Sequence, residues 1–249
     1  MSHPGAAKLS AIIPLTALRV KLFADSADPA SMPELARNPL IRGFTTNPTL
    51  MRKAGICDYR AFAQEILAAV PDRPISFEVF ADEFDAMERQ ARLISAWGPN
   101  VYVKIPITNT RGESSCALLR RLAGDGMKLN VTGLLTLEQV CAAGRALAEG
   151  PPSCISVFAG RIADTGRDPV PVMATAVELL RPHPQIELIW ASPRELLNLF
   201  QADAVGCHII TLTTDILKKL ALIGKDLTDY SLETVKMFFD DAWASGFVL

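Results

Sequence analysis

Asn100-Val101-Tyr102-Val103-Lys104-Ile105-Pro106-Ile107 reads as one β-strand with two unlike faces. Successive side chains of a strand point to opposite sides, so Val101, Val103 and Ile105 form an apolar row and Tyr102 and Lys104 a mixed one. The same split recurs on neighbouring runs. Leu129 and Val131 alternate with Lys128, Asn130 and Thr132, Phe77 and Val79 flank Glu78, and Ile155 and Val157 flank Ser156. Strands of this kind need apolar cover on one side only. A closed barrel supplies it, with helices over the apolar rows and the mixed rows turned into the lumen.

Working outward from residues 100–107, the chain alternates short β-branched runs with longer amphipathic segments. The predicted strands are 20–25, 41–47, 75–80, 100–107, 127–134, 154–160, 186–192 and 207–213. Helices are predicted over 59–70, 84–97, 114–123, 137–148, 172–180 and 193–201, with a brief one between the first two strands, where Pro33 and Pro39 stand. Two further helices, near 215–222 and 232–244, follow the last strand. Eight β/α units without a composition break predict an α/β fold, a single (β/α)8 TIM barrel with additional C-terminal helices. Residues 20–249 form the barrel and 1–19 an N-terminal extension. An open doubly wound sheet is the rival, but no glycine-rich fingerprint follows the first strand.

Bulk properties narrow the function. Of 249 residues, 49% are hydrophobic and 21% charged, enough for a sizeable core. The net charge of −2 comes from interspersed acids and bases, which argues against a nucleic-acid surface. Five cysteines without a CxxC pair and three scattered histidines predict reduced thiols in a cytoplasmic protein, with no metal site. No apolar run approaches the length of a membrane span or a secretion signal.

A barrel lumen is normally filled by branched aliphatics. Glu78, Lys104, Asn130, Thr132 and Ser156 stand there instead, on adjacent strands. A single such residue would suggest a buried structural pair; five converging on one face suggest a site. A lysine among Val103, Ile105 and other apolar neighbours is partly desolvated, which works against the ammonium and favours the neutral, nucleophilic amine. Amines of this kind attack ketones to give a Schiff base, an electron sink for carbon–carbon cleavage. Glu78 and Asp25 can serve as acid and base. Lys21 and Lys128 share the inward parity but lie toward strand beginnings, the face concerned with stability. Arg161 and Arg194 follow strand ends and together suggest an anion clamp, Arg194 at a helix N-terminus.

These residues resemble the transaldolase family. Leu22-Phe23-Ala24-Asp25-Ser26-Ala27-Asp28 is similar to its first-strand aspartate motif, Phe44-Thr45-Thr46-Asn47-Pro48-Thr49 to its TTNP segment, and Val103-Lys104-Ile105-Pro106 to its Schiff-base strand. Asn130-Val131-Thr132, Ser156-Val157-Phe158-Ala159-Gly160-Arg161-Ile162 and Ala191-Ser192-Pro193-Arg194 complete the resemblance, in order, on the predicted strands. It implies that Lys104 carries a dihydroxyacetone unit, that Asp25 takes the donor hydroxyl proton, and that Glu78 relays protons through a water held by Thr132. Thr45, Asn47, Asn130 and Ser156 would contact sugar hydroxyls and the carbanionic intermediate, with Phe158 beside it. Ser192, Arg161 and Arg194 would hold a phosphate. No cofactor is implied. Partners would be small-molecule sugar phosphates, in carbohydrate metabolism such as the pentose phosphate pathway. Met237-Phe238-Phe239-Asp240-Asp241-Ala242-Trp243 resembles the ending of a short subfamily, and a homo-oligomer is expected.

Within the family, fructose-6-phosphate aldolases look as if they carry Gln where this chain has Glu78 and Tyr where it has Phe158. Phe158 has no hydroxyl to protonate a bound carbanion, which favours transfer over release of free dihydroxyacetone. Pro193 stands where an aromatic residue is common, and Trp190 is bulky near the sugar-phosphate end. A modified ketose or a sulfonated sugar therefore also fits an arginine clamp. A barrel that binds a sugar phosphate without turning it over is the alternative from another class; it would lack the lysine or the acid, and neither is missing.

Overall fold

The computed structural model describes residues 14–248; residues 1–13 of the predicted extension lie outside them. Eight parallel strands close in sequential order into a barrel. They are β1 (Lys21–Asp25), β2 (Ile41–Thr45), β3 (Ile75–Glu78), β4 (Val101–Pro106), β5 (Leu129–Leu134), β6 (Ser153–Val157), β7 (Ile186–Trp190) and β8 (Ile209–Thr213). Helices α1 (Ser31–Arg37), α2 (Pro48–Lys53), α3 (Tyr59–Ala69), α4 (Phe84–Ser95), α5 (Cys116–Gly124) and α6 (Leu137–Leu147) link the first six strands. They continue as α7 (Ala159–Asp164), α8 (Pro169–Leu180), α9 (Leu197–Ala204), α10 (Thr214–Lys218) and α11 (Leu227–Ala244), with a short 3-10 turn over Lys219–Leu222.

The helix-facing rows are the ones the alternation predicts. Phe77, Val103, Ile105, Leu129, Val131, Ile155 and Val157 are all fully buried in the core between sheet and helices. Each such side chain contributes roughly 1.5–3 kcal/mol by leaving water, and the helices supply matching stripes, as α4 does with Met87, Ala91 and Ile94. Trp190 also belongs to this outward row and is completely buried in the same core, so it does not enter the lumen.

A smaller apolar cluster of Phe23, Cys154, Ile189, Ala191 and Ile209, flanked by Tyr102 and Phe158, packs separately. These residues share inward parity and plug the lumen on the β1, β6, β7 and β8 side. Phe23 fits only because residue 43 is glycine; a Cβ there would lie 2.5 Å from its ring. The register shift between β1 and β2 at Leu22/Phe23 brings the two opposite each other. Below this plug, at the strand beginnings, Lys21 pairs with Glu187 at 2.5 Å and Lys128 donates to the Pro99 carbonyl at 2.8 Å. Both lysines predicted to be structural stand on that face.

Several boundaries differ from the sequence expectation. The strand predicted to reach Asn47 stops at Thr45, because Asn47 caps α2 by accepting from the Leu50 N–H and Pro48 occupies its first turn. The strand predicted over 154–160 ends at Val157, and α7 begins two residues later. The helix predicted from Pro193 begins at Leu197, so Arg194 precedes it by three residues rather than opening it. Among the described residues no helix is long and apolar enough to cross a membrane.

Candidate active site

The C-terminal strand ends open into a cavity of about 440 Å³, the face on which barrel enzymes build their sites. Lys104 stands on its floor, with only 7% of its surface exposed. Its Nζ lies 3.2 Å from Glu78 Oε2 and donates to the Thr46 carbonyl at 3.1 Å. Parallel pairing sets the first contact directly, because β3 and β4 place Glu78 opposite Lys104.

Across the cavity, Asp25 ends β1. Thr45 Oγ1 donates to its Oδ1 at 2.8 Å, and Asn47 Nδ2 donates to its Oδ2 at 3.3 Å. Burial raises the Asp25 carboxyl above the usual carboxylate range, against the opposing pull of the Lys104 charge and the Thr45 and Asn47 hydrogen bonds. A carboxylate that resists ionisation yet is held by two donors is suited to take a proton and return it.

Thr132 and Ser156 also line the cavity. Thr132 Oγ1 is buried without a protein partner. Ser156 donates to Asn130 Oδ1 at 2.8 Å, and Asn130 Nδ2 donates to Ser76 Oγ at 2.9 Å. Asn130 is fully buried in that relay and does not reach the cavity wall. Its link to the cavity runs through the Ser156 hydroxyl.

At the rim, Phe158, Arg161 and Ser192 line the cavity. The Arg161 guanidinium sits 5.0 Å from the Phe158 ring centroid and makes no ion pair among the described residues. Arg194 differs. It is not part of the cavity lining, and Asp164 binds its guanidinium through two contacts, one of them at 3.0 Å from Nε. The two arginines predicted to act as a clamp are therefore unequal: one free, the other neutralised.

Ser192 has φ of 56°, the one non-glycine residue in the left-handed region among the described residues. Such a conformation costs roughly 1–3 kcal/mol and tends to persist at functional sites. Gly160 packs directly against it; a Cβ at residue 160 would fall 1.5 Å from the Ser192 carbonyl oxygen. The start of α7 and the Ser192 turn thus interlock only through glycine.

Some lining residues lay outside the sequence prediction. Thr211 shares the inward parity of β8, and that signal was available; Pro106 and Ala191 follow the same rule on their strands. The Thr46 carbonyl, a backbone atom, carried no sequence signal.

Comparison with known proteins agrees with this geometry. Residues 22–247 match the family model described as transaldolase/fructose-6-phosphate aldolase. The chain belongs to that family. Relatives named "probable transaldolase" include one from Roseiflexus, 34% identical over 230 residues, covering 91% of this chain and all of the relative. Another, "probable transaldolase 2" from Listeria monocytogenes, is 34% identical over 217 residues, 86% of this chain and 93% of its own. A Dehalococcoides mccartyi relative is 31% identical over 84% of this chain and 93% of its own. Among solved structures, dihydrodipicolinate synthase from Rhodopseudomonas palustris superposes with a TM-score of 0.55 at 14% identity, over 77% of this chain and 69% of that one. A 2,3-dimethylmalate lyase gives 0.54 at 13% identity, over 94% and 86%. At such identities these two structures speak for the barrel alone. Enzymatic chemistry of the transaldolase/aldolase kind is what family membership conveys.

Proposed function

We propose that the chain is a transaldolase that moves a dihydroxyacetone unit from a ketose phosphate, such as fructose 6-phosphate, to an aldose phosphate through a Schiff base on Lys104. The observation that carries this reading is the placement of Lys104 Nζ, 3.2 Å from the Glu78 carboxylate on the cavity floor, with Asp25 lining the same cavity.

Lys104 gives up a proton to Glu78, and the neutral amine adds to the donor ketone carbon. Glu78 returns a proton to the departing hydroxyl through a water held on the unpartnered Thr132 Oγ1, and the iminium forms. Asp25 then takes the proton of the hydroxyl two carbons away. The bond between that hydroxyl-bearing carbon and the carbon next to the iminium breaks, its electrons pass into the iminium to give an enamine, and an aldose phosphate leaves. The enamine left on Lys104 attacks the incoming aldehyde, and Asp25 returns its proton to the new alkoxide. Ser156, oriented by Asn130, and Asn47 contact the hydroxyls of the three-carbon unit. Arg161 and Ser192 receive the terminal phosphate, as a free guanidinium and a serine turn at the rim are suited to do.

Phe158 favours transfer over release. A benzyl side chain offers no proton to the enamine, which therefore persists until an aldehyde arrives. The test is a panel of donors and acceptors scored for transferred against free dihydroxyacetone. Transfer should dominate at fixed acceptor; predominant release would make the chain an aldolase instead.

We further infer a homo-oligomer. Helix α11 has no buried residue, and Phe238, Phe239 and Trp243 are 62%, 66% and 80% exposed. Large apolar side chains left uncovered on one helix mark a surface that another protein surface covers. Light scattering on the full chain should give a multiple of the 27.0 kDa chain mass; a monomer at all concentrations would contradict it.

A further inference from the structure

We propose that Tyr59, on the first turn of α3, is a positioning residue that holds the Lys104–Glu78 pair in its reactive arrangement. The inference rests on the Schiff-base role of Lys104.

Strand pairing explains why such a residue is needed. Along the β2–β3 ladder, the Phe44 N–H donates to Pro74 and the Thr46 N–H to Ser76. The next steps of a parallel ladder would join the Glu78 N–H to the Thr46 carbonyl, and the N–H of residue 48 to the Glu78 carbonyl. The second is impossible, because residue 48 is proline. The first is not made either. Both backbone groups of Glu78 turn instead to one phenolic hydroxyl: the Glu78 N–H donates to Tyr59 Oη at 2.8 Å, and Tyr59 Oη donates to the Glu78 carbonyl at 3.2 Å.

Two consequences meet at the amine. Glu78 is fixed at the end of β3 although its β2 neighbour has left the ladder. The Thr46 carbonyl, relieved of its ladder partner, accepts from Lys104 Nζ at 3.1 Å. Tyr59 thus ends the ladder and hands one of its acceptors to the lysine. The hydroxyl is well suited to this double duty. Burial raises its pKa, so it keeps its proton and remains both donor and acceptor. The ring is boxed by Phe80, Trp97 and Phe77, with centroids 4.6, 5.3 and 6.1 Å away. It has little room to turn.

Tyr59→Phe removes the oxygen and keeps the ring. The experiment measures, on the full-length enzyme, the rate of borohydride-trappable adduct formation with fructose 6-phosphate, together with kcat and KM. Adduct formation and kcat should fall about tenfold or more while KM stays within about twofold. Trp97→Phe, which loosens the same aromatic box without touching the hydroxyl, serves as the packing control. It should lower the melting temperature but leave the adduct rate close to the unmodified one. Adding Tyr59→Phe to Glu78→Gln should slow the adduct further by less than Tyr59→Phe does alone, because part of the hydroxyl's effect passes through the Glu78 carboxylate and only the rest through the Thr46 carbonyl. An unchanged adduct rate in Tyr59→Phe, or a fall matched by Trp97→Phe, would overturn the proposal while leaving the Schiff base intact. An unmodified enzyme that forms no adduct would overturn both.

Discussion

Replacing Arg161 by alanine should separate phosphorylated from unphosphorylated substrates. The Arg161 guanidinium lines the cavity, rests on the Phe158 ring at 5.0 Å and has no ion-pair partner among the described residues, so its donors are available to a phosphate. One charge-assisted hydrogen bond is worth about 1.5–3 kcal/mol, or roughly 10- to 150-fold in affinity. The same change at Arg194 should matter far less. Asp164 already neutralises that guanidinium in an exposed pair, 51% and 50% exposed on the two side chains, and pairs of this kind contribute little. Arg194→Ala should therefore cost less than about fivefold. The assay compares initial transfer rates with glyceraldehyde 3-phosphate and glyceraldehyde as acceptors for both variants. Arg161→Ala should raise KM for the phosphorylated acceptor at least tenfold and change the unphosphorylated one by less than about threefold. Equal losses for both acceptors, or a larger effect at Arg194, would refute the assignment of the rim.

Gly160→Ala should damage the same subsite without touching a charge. A Cβ placed 1.5 Å from the Ser192 carbonyl forces the backbone apart, so phosphorylated substrates should weaken and thermal stability should fall by several degrees, measured by kinetics and calorimetry. Asp25→Asn should abolish transfer, yet stabilise the fold at neutral pH. Burial raises the Asp25 pKa, so the folded state binds its proton more tightly than the unfolded one, and ionisation costs stability as pH rises from about 3.9 through the folded value. The gain in melting temperature should thus be present at pH 7 and vanish toward pH 3; a gain independent of pH would show that the carboxylate is not the cause. Phe158→Tyr should increase release of free dihydroxyacetone relative to transfer, and Glu78→Gln should slow transfer because an amide cannot cycle a proton; both are read from the partition at fixed acceptor.

The alternation of four strands was enough to put Glu78, Lys104, Thr132 and Ser156 in one cavity, because a side-chain period of two leaves no freedom about the face. It does not give depth. Strands in a barrel tilt by about 36°, so ladder partners sit at different heights; Lys104 lines the cavity, whereas Asn130, opposite it in register, does not. Residue identity also could not separate Arg161 from Arg194, since the pairing with Asp164 joins residues 30 apart, one at the end of α7 and the other between β7 and α9. The Asn47-Pro48 start of α2 was legible as a cap followed by an N1 proline, and reading residues 41–47 as all strand overlooked it. Tyr59 escaped for another reason: it reaches the site from a helix, where strand parity says nothing, and its contacts are with backbone atoms.

The central claim is the covalent role of Lys104. Borohydride reduction in the presence of fructose 6-phosphate, followed by peptide mass mapping, tests it most directly. The predicted result is one added dihydroxyacetone-derived group, on Lys104 alone, and none in a folded Lys104→Arg variant, whose guanidinium stays charged and forms no imine. An adduct on Lys21 or Lys128, or an adduct that survives Lys104→Arg, would contradict it.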